Sequence, residues 1–90
     1  MKEYIIYGKT NCSYCDKIFE FMKKRNEKFV YVIINNLEDN LNEIKNIYDW
    51  KTVPIVVELL DHDGEKIAKL IGGCDDTIKY FEVKEWTITL

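Results

Sequence analysis

The fold of this chain is decided by residues 4–15, which read YIIYGKTNCSYC. The segment Tyr4–Tyr7 is β-branched and aromatic and is bounded by Gly8, which predicts a short buried strand. A polar loop follows, and a helix is predicted over about residues 13–25, because its apolar residues recur at helical spacing. These stripe residues are Cys15, Ile18, Phe19 and Met22. The sequence therefore places a pair of cysteines where a strand passes through a loop into a helix.

The rest of the chain continues the alternation of strand and helix patterns. Three further strands are predicted at residues 29–34, 55–60 and 65–71, and two further helices at 37–48 and 75–86. The apolar run at 29–34 is unbroken, which predicts a strand covered on both faces. Residues 61–64 predict the turn of an antiparallel hairpin. The order β-α-β-α-β-β-α predicts an α/β fold, a mixed four-stranded sheet flanked by three helices, with the first two strands parallel.

Composition limits the class of protein. Ninety residues, 47% of them hydrophobic and 13% aromatic, predict a single domain over residues 1–90 with a packed core. Thirteen basic and sixteen acidic residues give a net charge of −3, which argues against nucleic acid as a partner. No apolar run reaches the roughly 18 residues of a membrane span, and the N-terminus lacks the apolar stretch of about 7–15 residues of a secretory signal. A cytoplasmic protein with no membrane partner is expected.

The three cysteines are too few, and odd in number, for a secreted disulfide scaffold. Cys12 is expected at the helix N-terminus, where unpaired N–H groups and the helix dipole favour the thiolate and lower its pKa below about 8.5. Cys15, one turn later on the apolar stripe, is expected to be more buried and to act as the resolving thiol. The alternatives are two unrelated core cysteines or a zinc site, for which only Cys74 and His62 could add ligands. C-x-x-C after a strand in a βαβ unit favours redox chemistry, and no metal site is predicted.

Three motifs in order carry a resemblance to a known family. They are the segments Lys9–Cys15, Lys51–Pro54 and Gly72–Asp76. With them the chain resembles the glutaredoxin branch of the thioredoxin-like superfamily, as a dithiol member with a Cys-Ser-Tyr-Cys active site. The resemblance implies the thioredoxin-like (glutaredoxin) fold and a glutathione-dependent thiol–disulfide oxidoreductase. Such an enzyme reduces protein–glutathione mixed disulfides and protein disulfides, with Cys12 as nucleophile.

The resemblance also implies a binding site for glutathione. A cis Val53–Pro54 peptide would expose the Val53 backbone to the ligand, the start of the last helix would take the γ-glutamyl end, and two lysines the glycine carboxylate. The implied binding residues are Lys9, Tyr14, Lys51, Thr52, Val53, Pro54, Gly73, Cys74, Asp75 and Asp76. The residues alone also allow a trans proline at a strand start, ordinary capping of the last helix, a solvated Lys51 and a bystander Cys74.

Two alternative functions remain open, and a departure from the usual family motif supports the first of them. Ser13 stands where the family commonly has proline, and some relatives with serine there hold a [2Fe–2S] cluster between two subunits and two glutathiones. The first alternative is therefore a cluster-binding dimer. The second is a disulfide reductant specific to one partner, such as ribonucleotide reductase. For the main interpretation, glutathione is the co-substrate, disulfide-containing or glutathionylated proteins are the partners, and a monomer is expected.

Overall fold

The structure is a computed structural model, and it describes residues 2–34, 38–48 and 52–89. The predicted order of elements is confirmed. The strands are β1 (Glu3–Gly8), β2 (Lys28–Ile33), β3 (Ile55–His62) and β4 (Glu65–Gly72), and the helices are α1 (Ser13–Lys24), α2 (Glu38–Ile47) and α3 (Cys74–Thr89). Within the described ranges, no helix combines the length and the apolar character needed to cross a membrane.

The strand order of the sheet is β2-β1-β3-β4. The pairing register brings three chain segments together at one end of its strands. β1 pairs with β2 in parallel. β1 pairs with β3 in the antiparallel sense, so that Tyr7 lies opposite Ile55, the first residue of β3. β4 is antiparallel to β3 and places Gly72, its last residue, opposite Val56. Three segments therefore meet at the same end of the strands: the loop after β1, the loop after β4 and the segment before β3.

The core lies between the sheet and helices α1 and α3. Alternate residues of β1, including Tyr4 and Ile6, are buried because successive side chains of a strand point to opposite faces. The Tyr4 and Phe81 rings meet edge to face, with their centroids 5.3 Å apart. Phe21 lies outside the apolar stripe of α1, and it packs 6.0 Å from Phe81, between centroids. Phe81 of α3 is buried, whereas Ile78 of the same helix is only half-buried.

The prediction that residues 29–34 are covered on both faces is wrong. β2 lies at the edge of the sheet, and Val30 and Ile33 are 61% and 50% exposed. Phe29 and Tyr31 pack against Phe19 of α1, with ring centroids 5.6 and 5.1 Å apart. An apolar run indicates that a strand has apolar side chains on both faces. It does not indicate whether that strand is central or at the edge, which depends on which strand pairs with the second side of β1. The strand that does so is β3.

The hairpin turn is also shorter than predicted. β3 extends through His62, and only Asp63 and Gly64 connect it to β4. Both turn residues have positive φ, 53° and 84°, as in a type I′ turn, whose twist matches that of the paired strands. The last helix begins at Cys74, one residue before the predicted start, and continues to Thr89.

A buried carboxylate lies at the end of β1 remote from the cysteines. Glu58 of β3 is 1% exposed and lies opposite Tyr4 in the sheet. Tyr80 Oη donates a hydrogen bond of 2.8 Å to Glu58 Oε2, and Lys2 Nζ lies 3.7 Å from Glu58 Oε1. Burial raises the pKa of Tyr4 strongly, and the neighbouring Glu58 carboxylate adds to this increase. The carboxylate is thus held by partners from two parts of the chain, the N-terminal segment and α3, as a buried charge requires.

Candidate functional site

The two cysteines of the C-x-x-C segment lie at the N-terminus of α1. Cys12 is the N-cap residue, with extended backbone angles, and its Sγ accepts a hydrogen bond of 3.2 Å from the Cys15 N–H. The preceding residue, Asn11, has a φ of 57°, in the left-handed region that asparagine tolerates better than most residues. A disulfide joins Cys12 and Cys15, whose Cα atoms are 5.2 Å apart. The junction of strand, loop and helix therefore fixes both sulfurs in bonding positions.

The two sulfurs differ in their access to solvent. Cys12 is 9% exposed, and Cys15 is fully buried. An external thiolate can therefore reach the Cys12 sulfur, while the Cys15 sulfur lies behind it. The Cys15 N–H and the positive end of the α1 dipole both face Cys12 Sγ, and both stabilise a negative charge there once the disulfide is opened.

A groove of about 350 Å³ begins beside the C-x-x-C segment, a volume within the range of about 300–1,000 Å³ common to small-molecule sites. Three segments form its walls: the exposed Tyr14 of α1, the stretch before β3, and the turn into α3. Its lining residues are Tyr14, Thr52, Val53, Pro54, Gly73, Cys74, Asp75 and Asp76. The structure thus brings together eight of the ten residues that the sequence predicted for ligand binding. The expected cis peptide between Val53 and Pro54 is also confirmed.

The turn into α3 is held by contacts that the sequence pattern did not reveal. Thr77, which is fully buried, donates from Oγ1 to the Gly73 carbonyl at 2.7 Å, and its N–H donates to the same oxygen at 3.1 Å. The Gly73 N–H in turn faces Asp76 Oδ2 at 3.5 Å. Gly72 has a φ of 134°, and a Cβ there would lie 2.8 Å from the Asp76 side chain. Glycine is therefore required at position 72 by backbone angle and by space.

Cys74 borders the groove but has the properties of an unreactive thiol. It is a free cysteine and only 5% exposed. Burial raises the pKa of its thiol above the ordinary value, Lys17 opposes this increase, and Asp75 adds to it. Cys74 therefore carries little thiolate at neutral pH, in agreement with the bystander interpretation.

The predicted lysines and the histidine lie apart from the groove or outside the described residues. Lys9 is exposed in the loop before Cys12 and does not line the groove. Lys51 lies outside the described residues. His62 is at the far end of β3, where its Nε2 is 3.6 Å from Asp63 Oδ2. In the part of the chain that the structure describes, no three His, Cys, Asp or Glu side chains come together as metal ligands.

Sequence reasoning missed one residue that lies close to Cys15. A Cβ built on Gly8, at the end of β1, would lie 2.8 Å from Tyr31 Oη and 3.1 Å from Cys15 Sγ. Gly8 therefore leaves room for a tyrosine hydroxyl from β2 beside the buried sulfur. Only the glycine at the strand end hinted at a close approach, and nothing in the sequence identified Tyr31 as the neighbour.

Comparison with known proteins agrees with this geometry. The thioredoxin of Plasmodium falciparum has a similar solved structure, with a TM-score of 0.60 over 90% of this chain and 69% of that chain. At 22% identity, this likeness shows a shared fold. No curated protein sequence matches the chain. A sequence model of the glutaredoxin family matches residues 4–63, which include both Cys12 and Cys15. The chain therefore belongs to the glutaredoxin family and is a thiol–disulfide oxidoreductase with a dithiol Cys12–Cys15 pair.

Proposed function

We propose that this protein uses glutathione to reduce protein–glutathione mixed disulfides and protein disulfides, with Cys12 as the attacking thiolate. The observation that carries the proposal is the groove beside the C-x-x-C segment, because its walls are formed by the three predicted motif segments. A groove of this size beside a reactive sulfur suits a tripeptide whose own thiol must meet Cys12.

The start of α3 supports binding of the γ-glutamyl end. The first N–H groups of a helix have no partners within the helix, and they bind carboxylates well. The N–H groups of Cys74 and Asp75 would take the α-carboxylate of glutathione. The Asp75 side chain is exposed on the groove and would take the ammonium group. Asp76 is the weaker candidate for that contact, since its carboxylate already faces the Gly73 N–H.

The remaining contacts follow the length of the tripeptide. The Val53 backbone would pair with the central cysteine of glutathione, as a strand pairs with an extended peptide. Tyr14, 58% exposed, would pack beside the glutathione sulfur. Lys9 and Lys51 are proposed to attract the glycine carboxylate.

Two reactions follow from one attack. On a mixed disulfide, the Cys12 thiolate attacks the glutathione sulfur, and the protein thiolate leaves with the electron pair of the broken S–S bond. A glutathione thiolate then attacks the Cys12-bound glutathione, which yields glutathione disulfide and frees Cys12. On a protein disulfide, Cys12 forms a mixed disulfide with the substrate, and Cys15 resolves it. Two glutathione molecules then reduce the Cys12–Cys15 bond, with rates set by thiolate fraction and leaving-group pKa.

The test is turnover of a small glutathione mixed disulfide by the wild type and by single-charge variants. Asp75→Asn removes a negative charge at the proposed ammonium site, and it is expected to raise KM for the glutathionylated substrate about two- to fivefold with little change in kcat. Asp63→Asn is the matched control, because it removes the same charge from an exposed turn remote from the groove. Cys12→Ser is expected to abolish turnover.

Two results would contradict the proposal. The first is a wild-type protein that reduces protein disulfides with dithiothreitol but shows no turnover with glutathione, since the groove would then serve another reductant. The second is an equal KM for Asp75→Asn and Asp63→Asn, which would remove the ammonium contact from the site.

The cluster-binding alternative has a separate test. Because no three ligating side chains meet within the described ranges, Cys12 would supply one thiolate per chain and two glutathiones the others. Anaerobic reconstitution with iron, sulfide and glutathione would then give visible absorbance and the mass of a dimer. A colourless monomer would contradict that alternative without affecting the glutathione-dependent enzyme.

A further inference from the structure

A tyrosine hydroxyl and the buried sulfur of Cys15 border the same small space. This space lies above the Gly8 Cα, where a Cβ would be 2.8 Å from Tyr31 Oη and 3.1 Å from Cys15 Sγ. Tyr31 reaches it from β2, because Tyr31 lies opposite Ile6 in the parallel register and shares its face of the sheet. Cys15 reaches it from α1. The two groups come from elements that only the folded chain brings together.

The tyrosine ring is fixed in this position. Tyr31 is half-buried, and its ring meets Phe19 edge to face, at 5.1 Å between centroids and an interplanar angle of 74°. Burial raises the pKa of Tyr31, and the nearby Asp16 carboxylate raises it further. Tyr31 is therefore a neutral phenol at physiological pH, and its O–H is available as a donor.

In the disulfide form, that donor has no acceptor among the described residues of the protein. Among residues 2–34, 38–48 and 52–89, the Tyr31 hydroxyl makes no hydrogen bond. A half-buried donor without a partner is unfavourable, because it gives up water and gains little in return. The nearest sulfur belongs to a disulfide, which is a weak acceptor. This changes when the disulfide opens, since a thiolate is a strong acceptor and Cys15 is fully shielded from water.

We propose that the Tyr31 hydroxyl donates a hydrogen bond to Cys15 Sγ as the Cys12–Cys15 disulfide is reduced, so that Tyr31 is a positioning residue for the resolving cysteine. An external thiolate attacks Cys12 Sγ, the S–S bond breaks, and its electron pair passes to Cys15 Sγ. Tyr31 keeps its proton and stabilises this new charge. A second external thiolate then attacks the sulfur of the first, the bond from that sulfur to Cys12 breaks, and its electron pair stays on Cys12 Sγ. The two external sulfurs leave as a disulfide, so that two electrons have passed to the protein.

The proposal rests on the proposed function for the order of attack, with Cys12 reached first, but it does not depend on glutathione. Dithiothreitol therefore serves as the reductant in the test. A failure of glutathione turnover would count against the proposed function alone and would leave this experiment intact.

The variant Tyr31→Phe keeps the ring that packs on Phe19 and removes only the hydroxyl. Stopped-flow reduction of its disulfide by dithiothreitol is expected to be about tenfold slower than in the wild type, the usual effect of losing one hydrogen bond to a charged group. Tyr7→Phe is the matched control, because Tyr7 is a half-buried tyrosine on the other face of the sheet, packed on Tyr48 at 6.2 Å between ring centroids. It is expected to leave the rate unchanged.

A second readout separates the hydrogen bond from a general loosening of the structure. In a Cys12→Ser, Cys74→Ser background, Cys15 is the only thiol, and the 13C shift of its Cβ reports its ionisation. Adding Tyr31→Phe is expected to move this titration to a pH about one unit higher.

A third measurement repeats Tyr31→Phe in a Cys15→Ser background, where the tyrosine hydroxyl has no Cys15 sulfur to stabilise. There Tyr31→Phe is expected to have no effect on the rate at which dithiothreitol reduces a mixed disulfide formed between Cys12 and a small aromatic thiol.

Each contrary result overturns the inference. An unchanged reduction rate in Tyr31→Phe would show that the hydroxyl does not stabilise the leaving sulfur. A slower rate with an unchanged Cys15 titration would indicate a merely structural role. An equal slowing in the Cys15→Ser background would show that the hydroxyl acts through Cys12 or through folding.

Discussion

Replacing Gly8 with alanine tests the packing behind the active-site disulfide. The added methyl group would lie 2.8 Å from Tyr31 Oη, 3.1 Å from Cys15 Sγ and 3.2 Å from Cys15 Cβ. All three distances are shorter than an ordinary van der Waals contact of about 3.5–4.0 Å. Gly8 does not have a positive φ, so alanine adds no backbone strain, and the contacts alone decide the outcome.

The expected magnitude follows from two opposing effects. Overpacking of this kind costs about 1–3 kcal/mol, because neither an aromatic ring held by Phe19 nor a disulfide can move aside freely. Alanine also restricts the unfolded chain, which stabilises the protein by about 0.4–1 kcal/mol. Because none of the three contacts can give way easily, the cost is expected in the upper half of its range, about 2–3 kcal/mol, and after a gain of about 1 kcal/mol a net loss of about 1–2 kcal/mol in the free energy of unfolding remains. For a domain of this size that corresponds to a decrease in Tm of about 4–16 °C.

The assay is urea unfolding of the oxidised protein, with a second variant that identifies the contact. Because the closest atom is the tyrosine oxygen, Tyr31→Phe in the Gly8→Ala background is expected to restore part of the lost stability. Gly64→Ala is not a suitable control, since Gly64 has a φ of 84° and would add backbone strain of its own. The Tyr31→Phe single variant is the proper reference for the double variant.

Two results would refute this reasoning. If Gly8→Ala costs less than about 0.5 kcal/mol, the space above Gly8 is not closed by the hydroxyl and the sulfur. If Tyr31→Phe recovers no stability in the double variant, the hydroxyl does not occupy that space, and the further inference about Cys15 loses its geometric basis as well.

Three other predictions concern the cysteines and the buried carboxylate. In the reduced protein at pH 7, iodoacetamide should label Cys12 well before Cys74, because a raised pKa keeps Cys74 a thiol until the pH rises through that value; mass mapping that finds Cys74 first would contradict the assignment. Cys15→Ser should keep turnover of a small glutathione mixed disulfide and lose reduction of a protein disulfide, whereas equal loss of both reactions would make Cys15 essential to each. Tyr80→Phe removes the donor to Glu58 Oε2 and should lower the free energy of unfolding in urea by about 1.5–3 kcal/mol, while a change below about 0.5 kcal/mol would show that the bond contributes little.

Local signals in the sequence were sufficient for the element order. The strand at Tyr4–Tyr7, the start of α1 at Ser13 and the turn of the hairpin all depend on neighbours within a few residues, and the structure has a strand, a helix start and a turn at these places. The edge position of β2 was not predictable in this way. Both the central and the edge strands of this sheet have apolar runs, and strand order depends on which strand pairs with the second side of β1. That choice is made by contacts between residues distant in the chain.

The same distinction applies to the candidate site. The lining of the groove could be predicted because each of its segments is itself a short motif. The positions of Tyr31 and Thr77 could not be predicted in this way. Tyr31 lies near a sulfur on α1 that only the fold brings close. Thr77 bonds to the Gly73 carbonyl, which one turn of helix brings near. Glu58 was missed for a related reason, since a glutamate within an apolar strand gives no sign of the tyrosines that will face it.

The two aspartates at the start of α3 differ in what their side chains contact. Asp76 faces the Gly73 N–H and lies against Gly72, whose missing side chain leaves it room. Its carboxylate therefore belongs to the frame of the groove, because it holds the turn whose backbone lines the wall. Asp75 makes no such contact and stays exposed on the groove. A charge that does not hold the backbone can meet a ligand without any change in the fold. The second acidic residue of the turn therefore maintains the shape of the groove, and this difference is why the proposed ammonium contact is assigned to Asp75 and not to Asp76.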